Sequence, residues 1–186
     1  MPKYTIHTIE SAPEGSRDTM RAIHKKFGFL PNLIGELAAA PSAVKAYATL
    51  SQLVEQTSFT PVEQQLILLT VSSANGCDYC VAAHSAGLHA AELPRDQIDA
   101  ARRTRPLADG KLEALRRFAR AVVETRGHVD EAGLRAFLDA GYTKEQVFEL
   151  LVGVAMKTLS NYTNHIAETP LDEQLEAFAW NETEAA

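Results

Sequence analysis

The only two cysteines of this 186-residue chain lie three positions apart, in the segment NGCDYCVAAH that ends at His84. At about 100° per residue, Cys77 and Cys80 share one face of a helix, and His84 follows one turn later on that face. Asn75-Gly76 predicts a helix break, so Cys77 lies near a helix start, where free N–H groups and the helix dipole stabilise a thiolate. One sulfur of such a pair can attack an oxidant while the other closes a disulfide. The pattern therefore predicts thiol redox chemistry, with His84 moving a proton.

Two other interpretations of the cysteines stay open. Cys77, Cys80, His84 and His89 offer four zinc ligands within thirteen residues, although a single helix does not easily surround a tetrahedral metal. The cysteines are alternatively two small buried hydrophobic residues. Covalent haem is excluded because Val81, not histidine, follows the second cysteine. We expect no cofactor and no bound metal.

The composition is typical of a soluble globular protein, with 46% hydrophobic and 23% charged residues. A net charge of -6 argues against a nucleic-acid partner, and the short basic cluster Arg102-Arg103 is interpreted as solvated helix surface. The N-terminus lacks the apolar region of a secretory signal, and no apolar run of about 18 residues predicts a membrane span. We therefore expect a cytoplasmic protein, where a close cysteine pair is more often catalytic or metal-binding than a structural disulfide.

The apolar pattern predicts an all-α protein of one domain over residues 1–186, because no linker rich in glycine, proline or serine divides it. Residues 1–15 are predicted to be partly irregular, with an extended stretch at 4–9. Helices are predicted at residues 16–27, 32–39, 42–56, 61–74, 77–90, 94–103, 110–125, 130–139, 144–166 and 170–179.

Two helices begin with a capping box, at Thr60 with Glu63 and at Thr143 with Gln146. An offset of 83 residues superposes the two boxes and several apolar positions, which predicts a duplicated helical unit. Only the first copy carries cysteines.

A polar cluster interrupts the apolar pattern of the last long helix, and it consists of Asn161, Tyr162, Asn164 and His165. We interpret it as core hydrogen bonding or a subunit contact rather than as a catalytic group. Alanine-rich helix faces that must be covered predict a homo-oligomer.

Residues 60–93 resemble the core of the alkylhydroperoxidase AhpD-like family, within the carboxymuconolactone decarboxylase superfamily. The apolar run before the cysteines and the elements NGC, YC and AAH match, and the likeness extends over most of residues 28–175. The resemblance implies an AhpD-like multi-helix orthogonal bundle that assembles as a trimer or hexamer. It also implies a thiol-dependent peroxidase, with a hydroperoxide as substrate and a lipoylated or thioredoxin-like protein as dithiol electron donor.

The resemblance implies that Cys80 attacks the peroxide, that Cys77 resolves the intermediate and that His84 belongs to a proton relay. Helix-dipole reasoning instead favours Cys77 as the more acidic and exposed thiol, and we prefer Cys80 because a base lies within its reach. The relay glutamate of the family falls on Gln65, which cannot accept a proton at neutral pH. Glu63 lies close by and could replace the relay glutamate, although its role in the capping box already accounts for a glutamate at this position.

Four hypotheses of function follow. The first is a peroxiredoxin-like peroxidase. The second is a disulfide reductase or redox relay without peroxide specificity, which Gln65 makes more attractive. The third is a lactone decarboxylase that does not need the thiols, and the fourth is a helical assembly module with a redox-sensing disulfide. Tyr79, where the family has a histidine, is predicted to be a packing residue.

Overall fold

The computed structural model describes residues 4–180, and over that range it contains nine α-helices, one 3₁₀ helix and no strand. The α-helices are α1 Glu14–Phe27, α2 Asn32–Leu37, α3 Pro41–Glu55, α4 Pro61–Ala74, α5 Asp78–Ala90, α6 Arg95–Arg102, α7 Gly110–Glu124, α8 Glu131–Asp139 and α9 Lys144–Ala167. The 3₁₀ helix is Glu173–Phe178. Within this range, none of the helices has the length and apolar character that crossing a bilayer requires.

The all-α prediction is confirmed, and every α-helix begins and ends within about two residues of its predicted bounds. The predicted helix at 170–179 is present as a 3₁₀ helix, and it begins only at Glu173. Asp172 explains the late start, since its carboxylate accepts hydrogen bonds from the Asn32 backbone N–H and the Tyr79 hydroxyl. The approach to this helix is thereby fixed in an extended conformation, with φ near -71° and ψ near 143° at Asp172.

The first described residues, 4–9, form no strand. Their contact with the helices includes a hydrogen bond from the His7 backbone N–H to the Gly35 carbonyl oxygen at 3.0 Å. The single-domain prediction includes residues outside the described range and stays a prediction.

Helix α4 is the centre of the bundle, and it packs against α5, α7 and α9. Both predicted capping boxes are present, at the starts of α4 and α9. Gly153 lies where α9 crosses α4, and a Cβ there would approach Ile67 Cγ2 to 3.1 Å. The absence of that side chain lets α9 come close enough to place its polar residues against the end of α4.

The buried apolar residues form two main clusters. One surrounds α4 and α7, and the other lies among α1, α2, α3 and the start of α5. Cys77, Tyr79 and Cys80 belong to the second cluster, so the cysteine pair lies beside the central helix and is covered by the N-terminal helices.

The duplication stays a prediction. Helix α3 packs on α9 and α7 packs on α4, which is the reciprocal arrangement that two related helix pairs would give. The superposed residues nevertheless differ in environment, since Tyr79 is buried whereas Tyr162 is 54% exposed. Helix α9 is also uninterrupted at the position that corresponds to the break between α4 and α5 in the first copy.

Candidate functional site

The predicted break between α4 and α5 is present and fixes the position of the cysteines. Helix α4 ends at Ala74 with Asn75 as its C-cap, Gly76 adopts a left-handed φ of 65°, and Cys77 is the N-cap of α5. The Asn75 side chain donates to Asn161 Oδ1 at 2.9 Å, and the Cys77 backbone N–H donates to the Ser72 carbonyl oxygen at 2.9 Å. The turn is therefore tied both to the end of α4 and to α9.

Both cysteines are free thiols and both are buried, with 2% of Cys77 and 1% of Cys80 exposed. The side-chain amide of Asn164 donates to both sulfurs, at 3.4 Å from Cys77 Sγ and 3.1 Å from Cys80 Sγ. The Ser160 hydroxyl lies 4.0 Å from Cys80 Sγ. Helix α9 thus supplies donors to the sulfur pair from across the bundle.

The two thiols have opposite acidities. Burial raises the pKa of Cys80, but a hydrogen bond from Cys77 and the positive charge of Lys157 outweigh it, so this pKa lies well below its ordinary value. The pKa of Cys77 is raised, because its thiol donates to Cys80, because it is buried and because the Cys80 charge is close. Cys80 is therefore the thiolate of the pair and Cys77 the thiol, the reverse of the helix-dipole expectation.

Lys157 connects the thiolate to the histidine. Its side chain is 1% exposed, and its Nζ lies 2.9 Å from His84 Nε2. A lysine ammonium only donates, so Nε2 is the acceptor and the ring proton lies on Nδ1. Nδ1–H then donates to Gln65 Oε1 at 3.0 Å. Burial and the Lys157 charge hold the pKa of His84 well below its ordinary value, so the ring is neutral.

Gly87 makes room for the Gln65 contact. A Cβ at Gly87 would lie 2.3 Å from Gln65 Oε1, so any larger residue would push the amide away. Gln65 thus occupies the end of the chain of polar contacts that runs from Cys80 through Lys157 and His84. As an amide it fixes the tautomer of the ring and does not take the proton.

An apolar cavity of about 390 Å³ opens onto this chain of groups, with Cys80, His84 and Lys157 in its wall. The remainder of the wall is mostly apolar and includes Phe29, Leu33, Ile34, Tyr47, Leu68 and Met156. Burial and the Cys80 charge raise the pKa of Tyr47, so its hydroxyl stays protonated. A cavity of this size holds a small organic molecule and surrounds it with little water.

Glu63 does not join these groups. Its carboxylate accepts from the Thr60 backbone N–H at 2.8 Å and from the Tyr142 hydroxyl at 2.9 Å, and Lys111 Nζ lies at 3.2 Å. Its pKa is lowered because these hydrogen bonds outweigh burial. Its described contacts are those of a helix cap, and none of them is with His84.

The predicted polar cluster of α9 is divided between two faces. Asn161 and Asn164 are buried toward the thiols, whereas Tyr162 is 54% exposed and stacks on the ring of His165. The amides make core hydrogen bonds, as the sequence predicts. Asn164 donates to the two sulfurs, whereas Asn161 bonds with Asn75 and Ser72.

Sequence reasoning did not identify Lys157, Ser160 and Asn164 as site residues. Two signals were available. Asn164 belongs to the polar cluster of α9, and the 83-residue offset superposes Ser160 on Cys77. His89 is not part of the site, because its ring packs against Phe178 with centroids 5.5 Å apart. Over residues 4–180, no three His, Cys, Asp or Glu side chains are grouped as metal ligands.

Comparison with known proteins agrees with this architecture. Residues 41–124, which include the break and both thiols, match the carboxymuconolactone decarboxylase family. The match covers the part of the chain from α3 to α7. The fold of the chain is the AhpD-like all-α fold that the sequence predicts. No curated protein matches the chain significantly.

Several solved structures share the fold. A peroxidase-related protein with an alkylhydroperoxidase AhpD core from Ralstonia eutropha JMP134 is 24% identical, with a TM-score of 0.84 over 94% of each chain. The debrominase Bmp8, as a cysteine-to-alanine variant bound to 2,3,4-tribromopyrrole, is 21% identical, with a TM-score of 0.80 over 99% of this chain and 97% of its own. A peroxidase-related protein from Silicibacter sp. TM1040 is 16% identical, with a TM-score of 0.78 over 93% of this chain and 94% of its own. At these identities the likeness concerns the fold.

Proposed function

We propose that this protein is a member of the carboxymuconolactone decarboxylase superfamily and a thiol-dependent reductase of small apolar substrates, and specifically a peroxidase of organic hydroperoxides. The observation that carries the proposal is the asymmetric sulfur pair, in which the stabilised thiolate of Cys80 lines an apolar cavity and the thiol of Cys77 lies beside it. Reduction of a two-electron oxidant requires a nucleophilic sulfur next to a protonated resolving thiol, and this pair has that arrangement.

In the reaction, the Cys80 thiolate attacks one oxygen of R–O–OH, and the O–O bond breaks. Cys80 becomes a sulfenic acid, and the alkoxide takes a proton from Lys157, which faces the cavity beside the sulfur. Cys77 then attacks the sulfenic sulfur, the S–S bond forms, and the thiol proton leaves with the hydroxyl group as water. The peroxide gains two electrons, and the dithiol loses two.

His84 and Gln65 position Lys157 during this cycle. The acceptor Nε2 of His84 holds the Lys157 ammonium at 2.9 Å, and Gln65 keeps that nitrogen unprotonated by accepting from Nδ1. Gln65 therefore supports a proton chain that ends at Lys157, in place of the carboxylate-ended relay that the family resemblance implies. Glu63 stays a sequence-based candidate for the proton relay, and its contacts are those of a helix cap.

Burial of the sulfurs speaks against a protein disulfide as substrate. A folded partner must bring its own disulfide onto the attacking sulfur, and Cys80 is only 1% exposed at the wall of a cavity. A small hydroperoxide enters such a cavity without this restriction.

Mass spectrometry of the thiol state tests the proposal. One equivalent of cumene hydroperoxide is expected to convert the wild type to a Cys77–Cys80 disulfide, and Cys77→Ser to a sulfenic acid on Cys80 that dimedone traps. Cys80→Ser is expected to keep its remaining thiol. Thiols that stay free in the wild type would remove the peroxidase proposal. Lactone turnover that survives Cys80→Ser would favour the decarboxylase hypothesis.

Reductive debromination is a second candidate, because the debrominase of the same fold binds 2,3,4-tribromopyrrole and this cavity has the apolar wall such a ligand needs. The Cys80 thiolate would take bromine from carbon, Lys157 would protonate the ring carbon, and Cys77 would displace bromide as the disulfide forms. Bromide release from a brominated pyrrole, with no disulfide formed by hydroperoxide, would favour this reaction over the peroxidase.

The homo-oligomer, with three or six subunits, stays a proposal. The outer face of α9 carries an exposed apolar stripe that a second copy of the chain would cover, and it consists of Phe148, Leu151, Tyr162 and Ile166. The electron donor, a lipoylated or thioredoxin-like dithiol, also stays a proposal.

A further inference from the structure

The wall of the apolar cavity is not uniformly apolar, because one face of α3 brings polar side chains into it. Tyr47, Ser51 and Glu55 follow one another at intervals of four residues and therefore share a face of the helix, and all three line the cavity. The side chain of Glu55 is 51% exposed and pairs with Lys26, so it marks the outer end of this row. Tyr47 stands at the inner end, about two helical turns away.

The inner end of the row lies beside the attacking sulfur. Tyr47 packs against the buried cluster that contains Cys80, and on its other side against the cluster of Val54, Leu68 and Met156. Burial and the charge of Cys80 raise the pKa of Tyr47, so its hydroxyl keeps its proton next to the thiolate. The wall therefore carries an uncharged O–H donor close to the sulfur.

The Tyr47 hydroxyl is open to the cavity and has no partner in the protein. Over residues 4–180 it makes no hydrogen bond with a side chain or with the backbone. In the same range, the buried side-chain atoms that are sealed off without a partner are Glu36 Oε1 and Asn164 Oδ1, and the Tyr47 oxygen is not one of them. An oxygen that is shielded from bulk water but not sealed off faces the space of the cavity. Since a buried tyrosine hydroxyl normally has a partner, this donor is available to a bound molecule.

Most other uncharged polar side chains of the wall already have partners within the protein. They form the pairs Tyr79–Asp172, Gln64–Phe59 and Gln65–His84. Ser51 differs, because over residues 4–180 its hydroxyl makes no hydrogen bond. It lies one turn nearer the surface than Tyr47, on the way to the outer end of the row. Tyr47 is thus the unpartnered donor that stands deepest along α3.

We propose that Tyr47 contacts the substrate and donates a hydrogen bond to the oxygen that leaves when the Cys80 thiolate attacks. The thiolate bonds to the terminal oxygen of R–O–OH, the O–O bond breaks, and the electron pair passes to the oxygen attached to R. Lys157 transfers its proton to that oxygen, while Tyr47 keeps its own proton and holds the oxygen in place. A donor aimed at developing charge in an enclosed site stabilises it more than water does. The catalytic step rests on the proposed function, whereas the recognition of a ligand oxygen by Tyr47 does not.

Two ligands of the same shape test the contact without any turnover. 2-Phenyl-2-propanol, the alcohol that reduction of cumene hydroperoxide yields, differs from tert-butylbenzene by a hydroxyl in place of a methyl group. Their affinities are measured through the protection of Cys80 against iodoacetamide, in the wild type, Tyr47→Phe and Ser51→Ala. Tyr162→Phe is the control, since it removes the hydroxyl of a tyrosine that is 54% exposed and lies outside the cavity wall.

The wild type is expected to prefer the alcohol, and this preference should fall roughly threefold to tenfold in Tyr47→Phe because one neutral hydrogen bond is lost. It should be unchanged in Ser51→Ala and in Tyr162→Phe. Because the lost hydroxyl has no protein partner, Tyr47→Phe should also unfold at the wild-type urea concentration. An undiminished preference in Tyr47→Phe, an equal loss in Ser51→Ala, or a wild type that neither ligand protects would overturn the proposal.

The dependence of the reaction on the leaving group tests the catalytic step. Single-turnover oxidation of Cys80 is compared for cumene hydroperoxide, which releases a strongly basic alkoxide, and for peroxybenzoic acid, which releases a weakly basic carboxylate. Tyr47→Phe should slow the first reaction roughly tenfold or more and the second much less, since only the alkoxide needs the donor. Equal losses for both oxidants would indicate a structural role and overturn the catalytic part. A wild type that binds the alcohol through Tyr47 but reduces neither oxidant would support the contact and remove the peroxidase alone.

Discussion

Replacement of Lys157 by methionine is the sharpest test of the thiolate assignment. Lys157 and Cys80 are each 1% exposed, and the lysine lowers the pKa of Cys80 both by its charge and as a hydrogen-bond donor. An opposite charge within about 4–6 Å of a titratable group shifts its pKa by about one to three units, or roughly 1.4–4 kcal/mol. Methionine fills similar space without charge, so the pKa of Cys80 should rise.

The sign of the effect follows from the thiolate fraction. In the wild type this fraction falls as the pH drops through the lowered pKa of Cys80, at a lower pH than for an ordinary thiol. In Lys157→Met the same fall should occur at higher pH, so alkylation by iodoacetamide at neutral pH slows and recovers as the pH is raised. The removed charge should also let the pKa of His84 rise, although burial still holds it down.

The assay is the pH dependence of alkylation, with the modified cysteine identified by mass spectrometry because the two thiols titrate as a coupled pair. Absorbance of the thiolate at 240 nm gives an independent titration. Lys144→Met is the matched control, since it removes an exposed lysine from the start of the same helix. Circular dichroism checks that each variant folds. An unchanged titration of Cys80 in Lys157→Met would refute the assignment of Lys157 as the group that stabilises the thiolate.

Three further predictions concern the surroundings of the site. Gln65→Glu places a carboxylate 3.0 Å from His84 Nδ1 and should raise the pKa of His84; an NMR titration in which this ring does not move upward would contradict the proposed contact. Tyr79→Phe removes the hydroxyl that donates to Asp172 and should destabilise the protein by roughly 1–3 kcal/mol in urea unfolding, whereas an unchanged midpoint would show that the hydrogen bond is dispensable. Phe148→Glu places a charge in the exposed apolar stripe of α9 and should lower the mass of the assembly in analytical ultracentrifugation. A wild-type protein that already sediments as a monomer would contradict this prediction.

The local arrangement around the cysteines was predictable from the sequence. Helix periodicity placed Cys77, Cys80 and His84 on one face, and Asn75-Gly76 marked the break that makes Cys77 an N-cap. These features depend on residues within a few positions of one another, where helix geometry and turn preference act directly. The helix bounds were predictable for the same reason.

The choice between the two thiols was decided by tertiary structure. Lys157 and Asn164 stand 73 or more positions from the groups they contact, and only the packing of α9 against α4 brings them there. The helix dipole alone favoured Cys77, but the hydrogen bond from Cys77 and the buried positive charge of Lys157 act more strongly on Cys80. The 3₁₀ helix at Glu173–Phe178 and the apolar cavity likewise depend on contacts between distant helices, which local periodicity does not encode.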